Sequence, residues 1–207
     1  MKLAKLLIMK FKKLKDICVY FGDGDWIEKK DQSKAGIRLI QTGNVKDGYF
    51  SDRVDKGRYI TNKTFKELNC NEIFEGDILI SRLPEPVGRA CIIPKLDQRM
   101  ITAVDCTIVR ANNEVDKNYL IYYLQSQKYY FDVNQKITGA TRLRISKENL
   151  GNILIPLPEI NEQKKIIDKL DFAFEKLKKI DEDIIEKKRL IINLKRSIIN
   201  SVTIKDE

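Results

Sequence analysis

The clearest pattern in the chain lies in its last quarter. From Glu159 to the C-terminus there is neither glycine nor proline, and apolar residues recur in a heptad. The a positions are Leu170, Leu177, Ile184, Ile191 and Ile198, and the d positions are Ile166, Ala173, Ile180 and Leu194. Lys187 is the one charged d residue and Ser201 the last. Five consecutive apolar a positions predict one long helix to about Val202. At 1.5 Å per residue, about 40 residues span about 60 Å. Pro158 ends the extended run Leu154-Ile155-Pro156-Leu157, which suits the approach to a helix start. Glu159 and Glu162 then bring negative charge to the positive helix end. Ile167, Phe174, Ile185, Ile192 and Ile199 widen the apolar face beyond a two-helix seam. An intermolecular bundle with more than one packing partner is the expectation, and packing on its own domain is the alternative.

Residues 1–158 mix two periods. Residues 11–20 read as a short amphipathic helix with Leu14, Ile17 and Cys18 inward, and Gly22-Asp23-Gly24-Asp25 reads as a turn. Residues 36–45, 76–81, 88–94 and 101–110 are dense in β-branched side chains and read as strands. Thr61 is the expected N-cap of a helix through Leu68, with Lys63 and Lys66 outward. Asp116 is the expected N-cap of a helix to about Asn134. Its aromatic stripe of Tyr119, Tyr122, Tyr123, Tyr130 and Phe131 reads as core rather than as a base-stacking platform. Ser146 caps one further short turn. No internal repeat occurs. The fold class expected is α+β, a mixed-sheet domain over residues 1–158 followed by one long coiled-coil helix over residues 159–207.

Composition sharpens this picture. With 43% hydrophobic and 33% charged residues in 207, the chain is globular and long enough for a real core. No apolar run approaches the roughly 18 to 20 residues that a membrane helix needs. The stretch Leu3 to Met9 is interrupted by Lys5, stopped by Lys10, Lys12 and Lys13, and lacks a cleavage site, so it reads as a short extension with Met9 as an alternative start. The chain contains no histidine. That excludes Cys/His zinc fingers, Ser-His-Asp and Cys-His catalysis and imidazole-ligated metals. Cys18, Cys70, Cys91 and Cys106 form no CxxC pair, and reduced thiols in a cytoplasm are the simpler reading.

The net charge of +9 is uneven. Residues 159–207 carry 12 basic and 11 acidic side chains, whereas residues 1–158 carry 27 and 19. A basic domain attracts polyanions by counterion release, which puts nucleic acid first among partner classes. A lysine-rich surface that merely solubilises is the alternative. Glu28-Lys29-Lys30, with Asp16 upstream, has a nuclease-like form that a chain this charged produces by accident. No Asn/Asp-Pro-Pro-aromatic site, P-loop or convincing glycine-rich cofactor loop is present. No catalytic residue, metal or cofactor is therefore expected.

What remains is a set of polar turns: residues 23–26, 41–46, 81–89 and 138–144. Arginine reads guanine bidentately, Gln and Asn read adenine, and glycine and threonine let a backbone approach phosphates. The candidate DNA contacts are Arg38, Gln41, Thr42, Asn44, Lys46, Arg82, Arg89, Thr141, Arg142 and Arg144. Ordinary solvated loops are the alternative. The candidate dimer and partner helix residues are Ile166, Leu170, Leu177, Ile180, Ile184, Ile191, Leu194 and Ile198.

The order of these pieces resembles a known family. A short lysine-rich segment (Lys12-Lys13-Leu14-Lys15-Asp16-Ile17) precedes Gly36-Ile37-Arg38-Leu39-Ile40-Gln41-Thr42-Gly43-Asn44-Val45. Then come Gly76-Asp77-Ile78-Leu79-Ile80-Ser81-Arg82, Val87-Gly88-Arg89-Ala90 and Gly139-Ala140-Thr141. Last, residues 153–158 run into Glu162-Gln163-Lys164-Lys165-Ile166-Ile167. This closely resembles the specificity subunit of type I restriction-modification systems, over about residues 10–202. The resemblance implies a target-recognition domain that reads half of a split duplex DNA site. Two such domains separated by two long helices make up that subunit, so one of each here implies a half-length form acting as a homodimer. It also implies methyltransferase and restriction subunits as partners, which would carry adenine methylation and cleavage. The rivals are the specificity component of another methyltransferase-nuclease assembly, and a helical scaffold or inhibitor that never touches DNA.

Overall fold

The structure, a computed structural model, describes residues 10–139 and 143–203. The chain opens with β1 (Lys10–Lys13), a single 3-10 turn over Leu14–Ile17, and β2 (Cys18–Asp23). Then follow β3 (Gln32–Ser33), β4 (Ile37–Ile40), β5 (Arg58–Ile60), α1 (Asn62–Glu67), β6 (Glu72–Ile73), β7 (Ile78–Ser81), β8 (Ala90–Ile92), β9 (Met100–Thr102) and β10 (Cys106–Ala111). The remainder is α2 (Lys117–Tyr123), α3 (Gln127–Asn134), β11 (Ile137–Thr138), β12 (Arg144–Ile145), α4 (Lys147–Gly151), β13 (Leu154–Leu157) and α5 (Ile160–Thr203). The result is α+β with one long C-terminal helix.

Two sheets make the frame. One runs β2-β10-β7-β8 and is antiparallel throughout. The other runs β3-β5-β4-β9-β6 and is mixed, because β4 and β9 are parallel with Arg38 opposite Met100 and Ile40 opposite Thr102. Side chains alternate along each strand, so β4 and β9 feed two cores. Ile40 and Met100 join Leu79, Cys91, Cys106 and Ile108 of the other sheet, while Leu39 and Ile101 join Ile37, Ile60 and Cys70, with Phe65 of α1 packed against them. A third, two-stranded ladder pairs β1 with β13, Lys10 opposite Leu157 and Lys13 opposite Leu154.

Several local expectations are corrected. Residues 11–20 form a strand, a turn and a strand instead of a helix. Both arrangements bury Leu14 and Ile17, and in the β-branched and aromatic run Val19-Tyr20-Phe21 the two aromatics pair with β10. Residues 22–25 are not a free turn: Asp23 pairs with Thr107 and Asp25 bridges Ala103. Residues 36–45 are extended only over Ile37–Ile40, and residues 101–110 split at Ala103-Val104-Asp105 into strands of different sheets. Residues 117–134 form two helices, because the Ser126 side chain caps α3 by accepting from Tyr129 N–H. Phe131 is exposed, and Tyr122, Tyr123 and Tyr130 are only half-buried. Thr61, Asp116 and Ser146 are N-caps as the sequence suggests.

The chain divides into two compact units, Met1–Lys164 and Lys165–Glu207. In the first unit, the buried Gln163 accepts from Asp116 N–H at 2.8 Å and donates to the carbonyls of Glu114 and Pro158, each at 2.8 Å. The second unit is helix, and every residue from Asp171 to Thr203 is exposed.

Candidate nucleic-acid interface

Strand ends from both sheets meet at one rim of the first unit. Parallel strands leave a sheet on the same side, so residues 41–46, after β4, emerge beside residues 103–105, after β9. Ala103 N–H donates to the Ile40 carbonyl at 3.1 Å. The end of β2 joins them: Gly24 N–H donates to Cys106 O at 3.0 Å, Asp25 N–H to Thr102 O at 2.8 Å, and Val104 N–H to Asp25 O at 2.9 Å. The end of β7 joins through Arg82 N–H to Asp105 O at 2.9 Å, and β12 through Ile145 N–H to Arg82 O at 3.2 Å. Three of the polar turns read from sequence, 23–26, 41–46 and 81–89, are thus neighbours. So is Arg144, at the end of the fourth, where it pairs with Thr138. Residues 103–105 complete the rim, and nothing in a run of Ala-Val-Asp marks them in sequence.

Within the rim the candidate residues fall into two groups. Arg38, Arg82, Arg89 and Asn44 are buried, with 2%, 4%, 7% and 5% of their surface exposed. Arg38 donates to the Tyr59 hydroxyl at 2.9 Å, to Asp52 Oδ1 at 3.1 Å and to the Arg53 carbonyl at 3.2 Å. Arg82 donates to the Val104 carbonyl at 2.7 Å and pairs with Asp23 at 3.2 Å. Arg89 donates to four carbonyls: Val45, Leu83, Pro86 and Thr42. Asn44 closes its own loop, accepting from Gln41 N–H at 3.0 Å and donating to Ser51 O at 2.9 Å. All four brace the chain. Gln41, Thr42 and Lys46 are half-buried and Arg144 is exposed, its guanidinium 3.7 Å from Asp105. Thr141 and Arg142 lie outside the described residues.

The electrostatics of the rim are mixed. Asp23 collects Arg82, Lys147 at 4.0 Å and the Thr107 hydroxyl at 3.2 Å. Burial pulls the Arg82 and Arg89 guanidinium groups below their ordinary value, and Asp23 opposes this at Arg82. Both stay cationic at any physiological pH. Lys147 is a rim residue that the sequence reading passed over, and Trp26, in the turn 23–26 that it named, is exposed. Elsewhere chemistry is quiet. The four thiols are free; burial pushes Cys18, Cys91 and Cys106 up to about 12 and Cys70 up to about 11. Among the described residues, no group of His, Cys, Asp and Glu side chains is placed to hold a metal, and no helix is long and apolar enough to cross a membrane.

Comparison with known proteins follows the same outline. The family model described as "Type I restriction modification DNA specificity domain" matches residues 8–189. A putative type I restriction enzyme MjaX specificity subunit from Methanocaldococcus jannaschii is 25% identical over 160 residues, which are 75% of this chain and 37% of that protein. The type I restriction enzyme MjaVIII specificity subunit of the same organism is 33% identical over 86 residues, 40% of this chain and 20% of that protein. A chain from a structure of the assembly and conformational transition of a type I R-M system superposes with a TM-score of 0.69 at 19% identity, covering 93% of this chain and 45% of that one. The HsdS subunit from Thermoanaerobacter tengcongensis superposes with a TM-score of 0.60 at 19% identity, covering 81% and 38%. The chain therefore spans less than half the length of the relatives it matches.

Proposed function

Because the chain belongs to the type I restriction-modification DNA specificity domain family, we propose that it reads one half of a bipartite duplex DNA target. It pairs with a second copy through α5 and brings methyltransferase and restriction subunits to the site. It has no catalytic role of its own: adenine methylation and cleavage belong to those partners, and the complex works in the cytoplasm with the chromosome. The observation that carries this reading is the rim, where strand ends from two sheets gather the polar loops.

Gln41, Thr42, Lys46, Arg144 and Lys147 offer side chains at that rim, with Thr141 and Arg142 on the adjoining segment. Arg38, Asn44, Arg82 and Arg89 support them from behind. The helix suits the second half of the proposal. Leu177, Ile180, Ile184, Ile191, Leu194 and Ile198 are each at least 43% exposed, more apolar surface than a lone helix keeps in water. Its 44 residues give about 66 Å of rigid spacer between half-sites.

Mapping methylated adenines in the host genome, with and without this gene, tests the reading. A split, inversely symmetric motif should lose its methylation when the gene is deleted. A methylation pattern that does not change refutes it.

A further inference from the structure

The loops at the rim come from different sheets, and one side chain ties two of them together. Arg89 precedes β8. Its Nε donates to the Val45 carbonyl at 2.8 Å and its Nη2 to the Thr42 carbonyl at 2.9 Å. Its Nη1 donates to Leu83 O at 2.7 Å and Pro86 O at 3.0 Å. One planar fork therefore holds two carbonyls of loop 41–46 and two of loop 82–89. Among the described residues its hydrogen-bond partners are all carbonyls. Burying a guanidinium is costly, and that cost is offset only while every acceptor stays in place.

Other bonds hold each loop in place, and just after the first loop Asp47 accepts from the Tyr130 hydroxyl of α3 at 2.7 Å and Gly48 N–H donates to Ala90 O at 2.9 Å. Asn44 bridges Gln41 and Ser51. Gly88 N–H donates to Ser81 O at 2.8 Å, and the Gly88 carbonyl accepts from the buried Tyr129 hydroxyl at 2.9 Å. Gly88 has φ +89°, and a Cβ there would stand 3.1 Å from both the Tyr129 hydroxyl and Val133. The second loop is thus fixed to α3 at Gly88 and the first at its far end through Asp47, and Arg89 is the side chain that binds carbonyls of both loops directly.

We propose that Arg89 is a positioning residue for DNA reading: it sets the register of loop 41–46 against loop 82–89 and does not itself touch DNA. This rests on the reading of the rim as the DNA face. The rigid spacing of the two loops is what the guanidinium supplies, and a lysine at the same place keeps the charge but cannot span four acceptors.

The test uses the full chain assembled with its host methyltransferase. The probes are duplexes carrying the sequence methylated in the host, and the same duplexes with single base-pair changes. Arg89→Lys and Arg89→Gln should each lower discrimination between matched and mismatched duplexes at least tenfold. The slope of log affinity against log salt should stay the same, since no phosphate contact is lost. An Ile60 variant with an equal drop in Tm, altered in the core on the far side of the second sheet, should keep its discrimination. Intact discrimination in the Arg89 variants overturns the proposal, as does an equal loss in the Ile60 control. Should the Arg89 variants fail to fold, the wild-type chain still decides. The Arg89 Nε–H resonance should keep its position and slow exchange when DNA is added, and a shift on binding overturns the proposal. A wild-type assembly that does not discriminate at all refutes the DNA-face reading itself.

Discussion

Arg110 and Asp77 form a bidentate side-chain pair. Both guanidinium contacts, Nε to Oδ1 and Nη2 to Oδ2, are 2.7 Å, and the Asp77 side chain is 3% exposed. Phe74 N–H adds a third donor at 2.9 Å, and the guanidinium lies over the Phe74 ring at 4.8 Å. Removing Arg110 strands a buried carboxylate. Because Arg110 is itself 35% exposed, water softens the loss, and Arg110→Ala should cost about 2 kcal/mol in urea unfolding. A change within about 0.5 kcal/mol would mean the pair is a solvated surface contact. The buried thiols make a pH prediction. Their folded pKa lies above that of the unfolded chain, so unfolding releases protons once the pH passes about 9. The stabilisation is complete below that pH and is lost as it rises toward 12. Tm should fall over that window, and the double variant Cys91→Ala/Cys106→Ala should flatten the fall. Residue by residue, the sequence announces partners that are near neighbours. Thr61, Asp116 and Ser146 cap helices whose N–H groups lie two or three residues on. It does not announce the roles of Arg38, Arg82 and Arg89, since arginine is rarely buried and Arg89 finds acceptors 44 and 47 residues away.

At the scale of elements, α5 is the part read most directly from sequence, because its a positions are apolar in five consecutive heptads. The breaks at 103–105 and 124–126 were not readable. Neither contains glycine or proline, and the first is made by long-range bonds from residues 24 and 25. The apolar face of α5 predicts association. Ile180→Lys/Ile184→Lys puts two charges on the a/d stripe and should turn a dimer into a monomer in sedimentation at micromolar concentration. A dimer that survives would move the interface elsewhere. Excising one heptad shortens the helix by about 10 Å, close to three base-pair steps at 3.4 Å each. The spacer in the methylated motif should shift accordingly, and a constant spacer rules out the helix as its ruler.

The whole molecule is electrically lopsided, with the positive excess in residues 1–158. If six or more phosphates are neutralised, affinity for duplex DNA should drop about 10³-fold or more between 50 and 200 mM salt. Binding that ignores salt would leave the charge asymmetry without a role. In the proposed homodimer, two identical readers related by a twofold axis impose a target with inverted, matching halves. One feature of the frame bears on how such a protein changes its preference. β4 and β9 run the same way, so the segments after Ile40 and Thr102 leave the sheet on one side, beyond the last paired residues. The half-buried side chains of Gln41, Thr42 and Lys46 can be exchanged there while the ladder partners, the core residue Val45 and the loop bonds of Asn44 stay where they are. On the proposed DNA reading, exchange at that margin rewrites the text accepted and leaves the scaffold behind it as it is.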